Sequence, residues 1–326
     1  MPTRVTTACF AVAVACWSIV SSPASAEDTK LTVMVFQGMQ NLAIFGAQAN
    51  GFFAKRGLAV DVKITPSSEV MRKGLADGEW QIIHTAVDNG VAMAEVAKVD
   101  IAVVSGGDNG FNHLIVRPDI KSVADLKGKT VIVDAPDTAF AFELYEILKR
   151  NGVNKNDYNV KVVGATYKRL ADILAETDSK ASMLNPPFWL RAVHDGMKDM
   201  GTATTMIGPY QGTATVVLRS WAKDHPDVLV KYLQAYIEGL RWALDPKNKN
   251  AAIGLLTEGL KVTPEVAAAT YAIAADPTDG LAKDAKLDKE GFENVLKLRR
   301  AWTDSHPGAA EKYLDLSYYQ KALAGL

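Results

Sequence analysis

The chain has 326 residues, 48% of them hydrophobic, and its 36 Lys and Arg against 37 Asp and Glu leave a formal net charge of −1. That length allows roughly two domains of 100–200 residues, and the apolar content excludes a disordered chain. Near-neutral charge argues against a nucleic-acid binder, which needs a clustered basic surface.

Residues 1–26 read as an address. Arg4 is the only charge before Glu27, and an apolar run over 8–20 leads into Ser21-Ser22-Pro23-Ala24-Ser25-Ala26. A basic start, a core of about a dozen apolar residues and a small-x-small end make a secretory signal peptide cut after Ala26. The core is too short to span a bilayer. Both cysteines, Cys9 and Cys16, lie inside it, so the exported chain is expected to hold no thiol, disulfide or Cys-ligated metal. Lipidation at Cys16 is the alternative; apolar Trp17 and Ile19-Val20 just after it favour ordinary cleavage.

The exported chain alternates short apolar strands with helices. Strands are predicted at 31–36, 58–64, 81–85 and 101–104, with helices over 41–56, 69–76 and 87–97 between them, the first stopped by Gly57 in a left-handed conformation. The rhythm restarts with a strand at 129–133 and a helix over 138–150, whose Phe140, Leu144, Ile147 and Leu148 share a stripe ahead of Gly152. A strand at 160–163, a helix at 167–175 capped by Thr166, and a strand at 181–184 follow. The runs 113–117 and 215–219, each ending in Arg, read as crossings between two lobes and as sheet strands. After Ser220 the pattern is helical: Leu229, Leu233, Tyr236, Ile237, Leu240 and Leu244 form one stripe, and helices follow near 265–275 and 289–302. The expected fold is α/β, with two lobes, each a mostly parallel sheet covered by helices. Residues 27–112 and 216–326 would form lobe 1, with the helical tail covering it, and residues 113–215 lobe 2.

Asn50-Gly51-Phe52-Phe53-Ala54-Lys55-Arg56-Gly57-Leu58, placed after a first strand, resembles a segment of the extracytoplasmic binding proteins of ABC importers for sulfonates, taurine, nitrate and the thiamine pyrimidine precursor. There a helix ends in a Gly-Phe-Phe turn and Gly-Leu opens the second strand. Ala124-Asp125-Leu126-Lys127-Gly128-Lys129 is similar to that family's entry into its second lobe, and Leu75-Ala76-Asp77-Gly78-Glu79 to its lead into strand three. The order of these pieces spreads the resemblance over nearly all of the exported chain. Two departures leave the ligand open: Trp80-Gln81 stands where the family usually has an Asp, and Asp178-Ser179-Lys180-Ala181 replaces its common Gly-x-x-Asp-Ala. The resemblance implies a two-lobed periplasmic binding protein fold and a periplasmic location. It implies a small-molecule ligand and an inner-membrane ABC permease with its ATPase as partners, with the chain expected to be a monomer.

In an open parallel sheet a ligand sits beyond the carboxyl ends of the strands, where helix N-termini leave free N–H groups. Those loops are 37–41, 84–89 and 105–109 in lobe 1, and 134–138, 164–166 and 185–188 in lobe 2, with 210–213 beside the second crossing. Gln37, Gln40 and Asn41 either cap the first helix or offer amides to a solute. His84, beside Thr85, is either a packed histidine or a contact. Asp137 and Thr138 read as helix caps next to free N–H groups, while Asp88 and Asp108 matter only if the cleft closes. Asn185 ends a strand, and Phe188 and Tyr210 are either core or stacking surfaces. These loops hold Asp88, Asp108, Asp134 and Asp137 but no Lys or Arg. Backbone N–H groups alone can hold an oxyanion, yet four acids tilt the expectation to a neutral or amine-bearing organic molecule, such as a flat heterocycle stacked on Phe188.

Catalytic patterns fail. Gly128-Lys129-Thr130 imitates the end of a phosphate loop, but Val123 stands at the position of its first glycine, and no Gly-x-Ser-x-Gly elbow is present. The five histidines show no ligand spacing, so neither metal nor cofactor is expected. A fungal pyrimidine synthase and hydroxymethylbilane synthase share this type of fold but depend on cysteines that the exported chain lacks. The expected function is capture of a small organic molecule (sulfonate, aromatic or pyrimidine-like) for an ABC permease; the alternatives are a binding protein feeding a membrane sensor, or an enzyme of the pyrimidine-synthase type.

Overall fold

The computed structural model describes residues 1–3 and 28–326, so the signal-peptide reading, with Cys9 and Cys16, falls almost wholly outside the described residues. Strands β1 (Thr29–Val35), β2 (Leu58–Ile64), β3 (Ile82–Ala86) and β4 (Ile101–Ser105) alternate with helices α1 (Leu42–Ala49), α2 (Ser68–Ala76) and α3 (Val87–Glu95). After β5 (His113–Val116) the pattern repeats with β6 (Thr130–Val133), α4 (Ala139–Arg150), β7 (Asn159–Val162), α5 (Thr166–Ala175), β8 (Ser179–Leu184), α6 (Phe188–His194), β9 (Lys198–Thr202) and α7 (Ala203–Ile207). β10 (Thr213–Leu218) leads into α8 (Arg219–Asp224), α9 (Pro226–Leu244), α10 (Lys249–Leu260), α11 (Pro264–Ala274), α12 (Lys289–Trp302) and α13 (Ser317–Ala324).

The strands form two sheets of identical design, β2-β1-β3-β10-β4 and β7-β6-β8-β5-β9. β1 runs parallel to β2 and β3, and β6 to β7 and β8. Both crossing segments are full sheet strands, each antiparallel to its two neighbours. The direction has a simple cause. The chain leaves β4 at its carboxyl end, crosses there, and must run β5 away from the crossing; His113 accordingly pairs with Leu184 at the end of β8. β10 returns in the same way, with Thr213 opposite Ala86 at the end of β3.

Two expectations need correction. The helix predicted over 41–56 is broken: α1 stops at Ala49, Gly51 turns the chain at φ +65°, and Phe53 goes inward to stack on Tyr232 with 5.3 Å between ring centroids. Gly57 does take the left-handed conformation, at φ +68°. Thr166 opens α5 without capping it, because its hydroxyl instead accepts a hydrogen bond from Arg169.

The tail does more than cover the first lobe. α9 lies along α1 so closely that Gly46 and Gly239 face each other backbone to backbone. α12 packs on both α3 and α4, placing Phe292, Val295 and Leu296 in one apolar core with Ile83 and Val103 of the first lobe and Val131, Phe142 and Leu144 of the second. Among the described residues no helix is long and apolar enough to cross a membrane.

Candidate functional site

A cavity of about 300 Å³ lies between the lobes, beyond the carboxyl ends of both sheets. His84 and Thr85 come from β3, Asp108 from the loop after β4, Asp134 from the loop after β6, and Asn185 from the end of β8. The N-terminal turns of α2, α4 and α5 also face it, through Ser68, Thr138 and Thr166. Phe36, Phe111, Phe140 and Tyr210 supply apolar and aromatic wall. The volume sits at the low end of the roughly 300–1,000 Å³ usual for small-molecule sites.

The polar groups on this wall are mostly acids or acceptors. Asp108 is buried, and its carboxylate accepts from the backbone N–H of Gly110 at 3.0 Å and of Thr213 at 2.9 Å, so it pins the two crossings to each other. Burial nevertheless holds its pKa above the usual range. Glu143, on α4 and fully buried, accepts from Asn112 Nδ2 at 3.1 and 2.9 Å. Burial, with the charges of Asp108 and Asp134 nearby, pushes its pKa up to about 8. Burial likewise raises Asp134, against the attraction of Arg169 3.9 Å away. His84 Nε2 lies 2.7 Å from the Tyr232 hydroxyl, and burial lowers its pKa to about 3, which keeps the ring neutral.

Two arginines that the loops alone do not reveal stand on the same wall. Arg169, on α5, is buried and donates to the carbonyls of Gly164 and Met183 and to Thr166, with its guanidinium 4.8 Å from the centre of the Phe140 ring. Arg72, on α2, lies 4.0 Å from Asp137 of the opposite lobe.

Of the residues expected from sequence, Gln40, His84, Thr85, Asp108, Asp137, Thr138, Asn185 and Tyr210 line the cavity. Four do not. Gln37 turns away and donates to the Leu260 carbonyl. Asn41 is buried under the loop, donating to the Phe36 carbonyl at 2.7 Å. Asp88 is consumed by Arg299, whose Nε and Nη2 meet its two oxygens at 2.6 and 2.8 Å. Phe188 packs with Trp189 against the core that contains Ile115, Ile132 and Leu184, which removes the stacking platform expected there. Thr138 does not cap α4 with its side chain; its hydroxyl donates to Asp134 and Ala135, so the first turn of the helix, which lines the cavity, has no side-chain cap. Gln40 and Asn41 likewise cap nothing, since both amides donate to Phe36.

Two α/β lobes of the same strand order, joined by two crossings and closing on a cavity, define the fold of periplasmic solute-binding proteins. The family model described as NMT1/THI5 like matches residues 39–249, well over half of the chain, and the chain belongs to that family. A protein of Brachyspira hyodysenteriae described as an ABC transporter periplasmic binding protein is 25% identical over 233 residues, 67% of this chain and 66% of that one. The nitrate-binding protein NrtA of Synechocystis PCC 6803 superposes with a TM-score of 0.77 at 16% identity, covering 92% of this chain and 89% of NrtA. The aliphatic sulphonate binding protein SsuA of Escherichia coli gives 0.69 at 17% identity, over 89% and 92%. The fold also serves an enzyme: the desulfurization enzyme DSZB gives 0.65 at 13% identity, over 90% and 99%.

Proposed function

We propose that the chain is an extracytoplasmic solute-binding protein, which captures a small organic molecule between its lobes in the periplasm and delivers it as a monomer to an ABC permease with its ATPase. The carrying observation is the cavity of about 300 Å³ walled by side chains from both lobes at the carboxyl ends of both sheets. The bodies that move are residues 27–112 with 216–326, and residues 113–215. A solute that touches both of them stabilises the closed form by its differential affinity for the two states. The Arg72–Asp137 pair across the mouth forms only when the lobes meet.

Thermal unfolding of residues 27–326 against pooled sulfonates, oxyanions, aromatic carboxylates, amino acids, pyrimidines and flavins tests this reading. A solute at about 1,000 times its dissociation constant adds about 4 kcal/mol, a rise of several degrees. One pool is expected to produce it, with the solute recovered unchanged after incubation. Recovery of a converted product would overturn the non-enzymatic reading. Silence from every pool, together with no small molecule released on denaturing the purified protein, would overturn capture itself.

A further inference from the structure

The cavity holds an imbalance that the fold does not resolve. Arg169 is committed to backbone carbonyls and to Asp134, and Arg72 to Asp137. Asp108 and Glu143 have hydrogen-bond donors, the N–H groups of Gly110 and Thr213 and the amide of Asn112, and the cation whose charge reaches Glu143 is Arg169, which is shared with Asp134. Two lining residues also carry acceptors that the fold leaves unpartnered. Asn89, which is 4% exposed and lines the cavity, has an Oδ1 with no hydrogen-bond partner. Gln40 donates its amide to the Phe36 carbonyl, so its Oε1 is an acceptor, and it too is unpartnered. Among the described residues, the one donor of a lining residue in the same condition is Arg169 Nε.

We infer that the solute is an organic cation, a protonated amine or amidinium on a flat ring, with its charged group against the Asp108 and Glu143 carboxyls. This rests on the capture reading and narrows its ligand. Surplus acceptors in a buried site call for donors on the ligand, since an acceptor buried without one costs free energy. A positive donor also favours the ionised form of two acids that burial otherwise holds toward their protonated form. The Phe36, Phe111, Phe140 and Tyr210 rings favour a flat body with a cationic edge. A single neutral acceptor, such as a ring nitrogen, satisfies Arg169 Nε. An anion of the same size would meet the uncapped first turn of α4 but would face Asp134, Asp108 and Glu143 together.

The groups facing Glu143 are Asn112 and Asp108 from the first crossing, Asp134 from the loop after β6, Arg169 from α5, and Tyr210 ahead of β10. With Glu143 holding its proton up to about pH 8, a cation that pairs with the carboxylate must displace that proton. Its affinity therefore climbs by up to about tenfold per pH unit from pH 6 toward 8 and then levels.

The test is calorimetric titration of residues 27–326 between pH 6 and 9 with benzamidine and 4-aminopyridine, and with benzoate and benzenesulfonate as anions of matched size. The cations are expected to bind with that pH slope. Glu143→Gln is expected to weaken them by roughly 10- to 100-fold, the worth of a charge-assisted hydrogen bond, and to flatten the slope. Cation binding that is unchanged in Glu143→Gln would leave Glu143 a structural acid and overturn the inference. Binding of the anions alone would overturn the ligand class and leave capture standing, and binding of neither series would also overturn the class. Capture falls separately, only if the broad solute pools and the denatured protein yield nothing.

Discussion

At the scale of single residues, two neighbouring carboxamides and two aspartates separate a place in the sequence from a place in the site. Gln37 and Gln40 flank the same glycine, yet Gln37 donates to the Leu260 carbonyl while Gln40 lines the cavity. Gln37→Ala is therefore expected to leave solute affinity unchanged, measured by calorimetry with whichever solute the thermal screen finds. Asp137→Ala should weaken binding about two- to fivefold with little change in unliganded melting, because it removes a part-exposed pair between the lobes worth at most about 1 kcal/mol. Two buried groups set opposite pH slopes on stability. Glu143 titrates near 8 folded against about 4.5 unfolded, so over that window the folded state binds more protons and stability falls as pH rises. His84 titrates near 3 folded against 6.5 unfolded, so the unfolded state binds more protons below about 6.5 and stability falls as pH drops. Unliganded melting should then peak between these limbs, and Glu143→Gln should flatten the alkaline limb alone; an unchanged alkaline limb would mean that Glu143 titrates normally.

At the scale of elements, the close approach of α1 and α9 rests on glycine. A Cβ on Gly239 would come within 2.2 Å of the Ala43 carbonyl oxygen and 2.6 Å of the Ala47 nitrogen, both backbone atoms that cannot step aside. Gly239→Ala is expected to cost about 1–3 kcal/mol in denaturant unfolding, as overpacked cores do. The strands were legible because each is a short apolar run bounded by turn residues; β2 matches its expected limits at both ends. The short β9 and α7 were not, since β9 buries little and α7 spans a single turn. The site was legible where it lies in loops and hidden where it lies on helices. Arg72, Glu143 and Arg169 each sit three or four residues into α2, α4 and α5. Side chains lean toward a helix's N-terminus, so residues one turn in reach back over the same strand ends as the loops. Counting only loops gave four acids and no base; counting the first turns as well would have found both arginines and Glu143. Trp80, a departure from the family pattern, is a packing residue whose ring covers Gly74 and whose Nε1 donates to the Met71 carbonyl.

At the scale of the whole molecule, α12 is placed to limit any opening of the lobes, since it packs on both α3 and α4. Arg299 on that helix binds Asp88 of α3 through two hydrogen bonds and donates to the Asp137 carbonyl at 2.9 Å, so one buried guanidinium ties both lobes to the tail. Trp302 extends the link, donating to Glu146 and packing on Tyr145 of α4. A wide opening would strip α12 from α4 and expose the apolar core that it shares with both lobes. The unliganded protein should therefore stay compact, with a radius of gyration of about 19 Å for a chain of about 300 residues, and solute should shrink it only slightly. Removing one partner of a buried ion pair costs about 3–5 kcal/mol, because the other charge is left unpaired. Arg299→Met is expected to lose that much in denaturant unfolding, while Arg299→Met with Asp88→Asn loses less. If the guanidinium also restrains the hinge, solution X-ray scattering of the double variant should give a larger radius without solute and the parent's radius with it. A parent that itself expands by several ångströms when emptied would mean that α12 leaves one lobe on opening, and that its link to α4 belongs to the closed state alone.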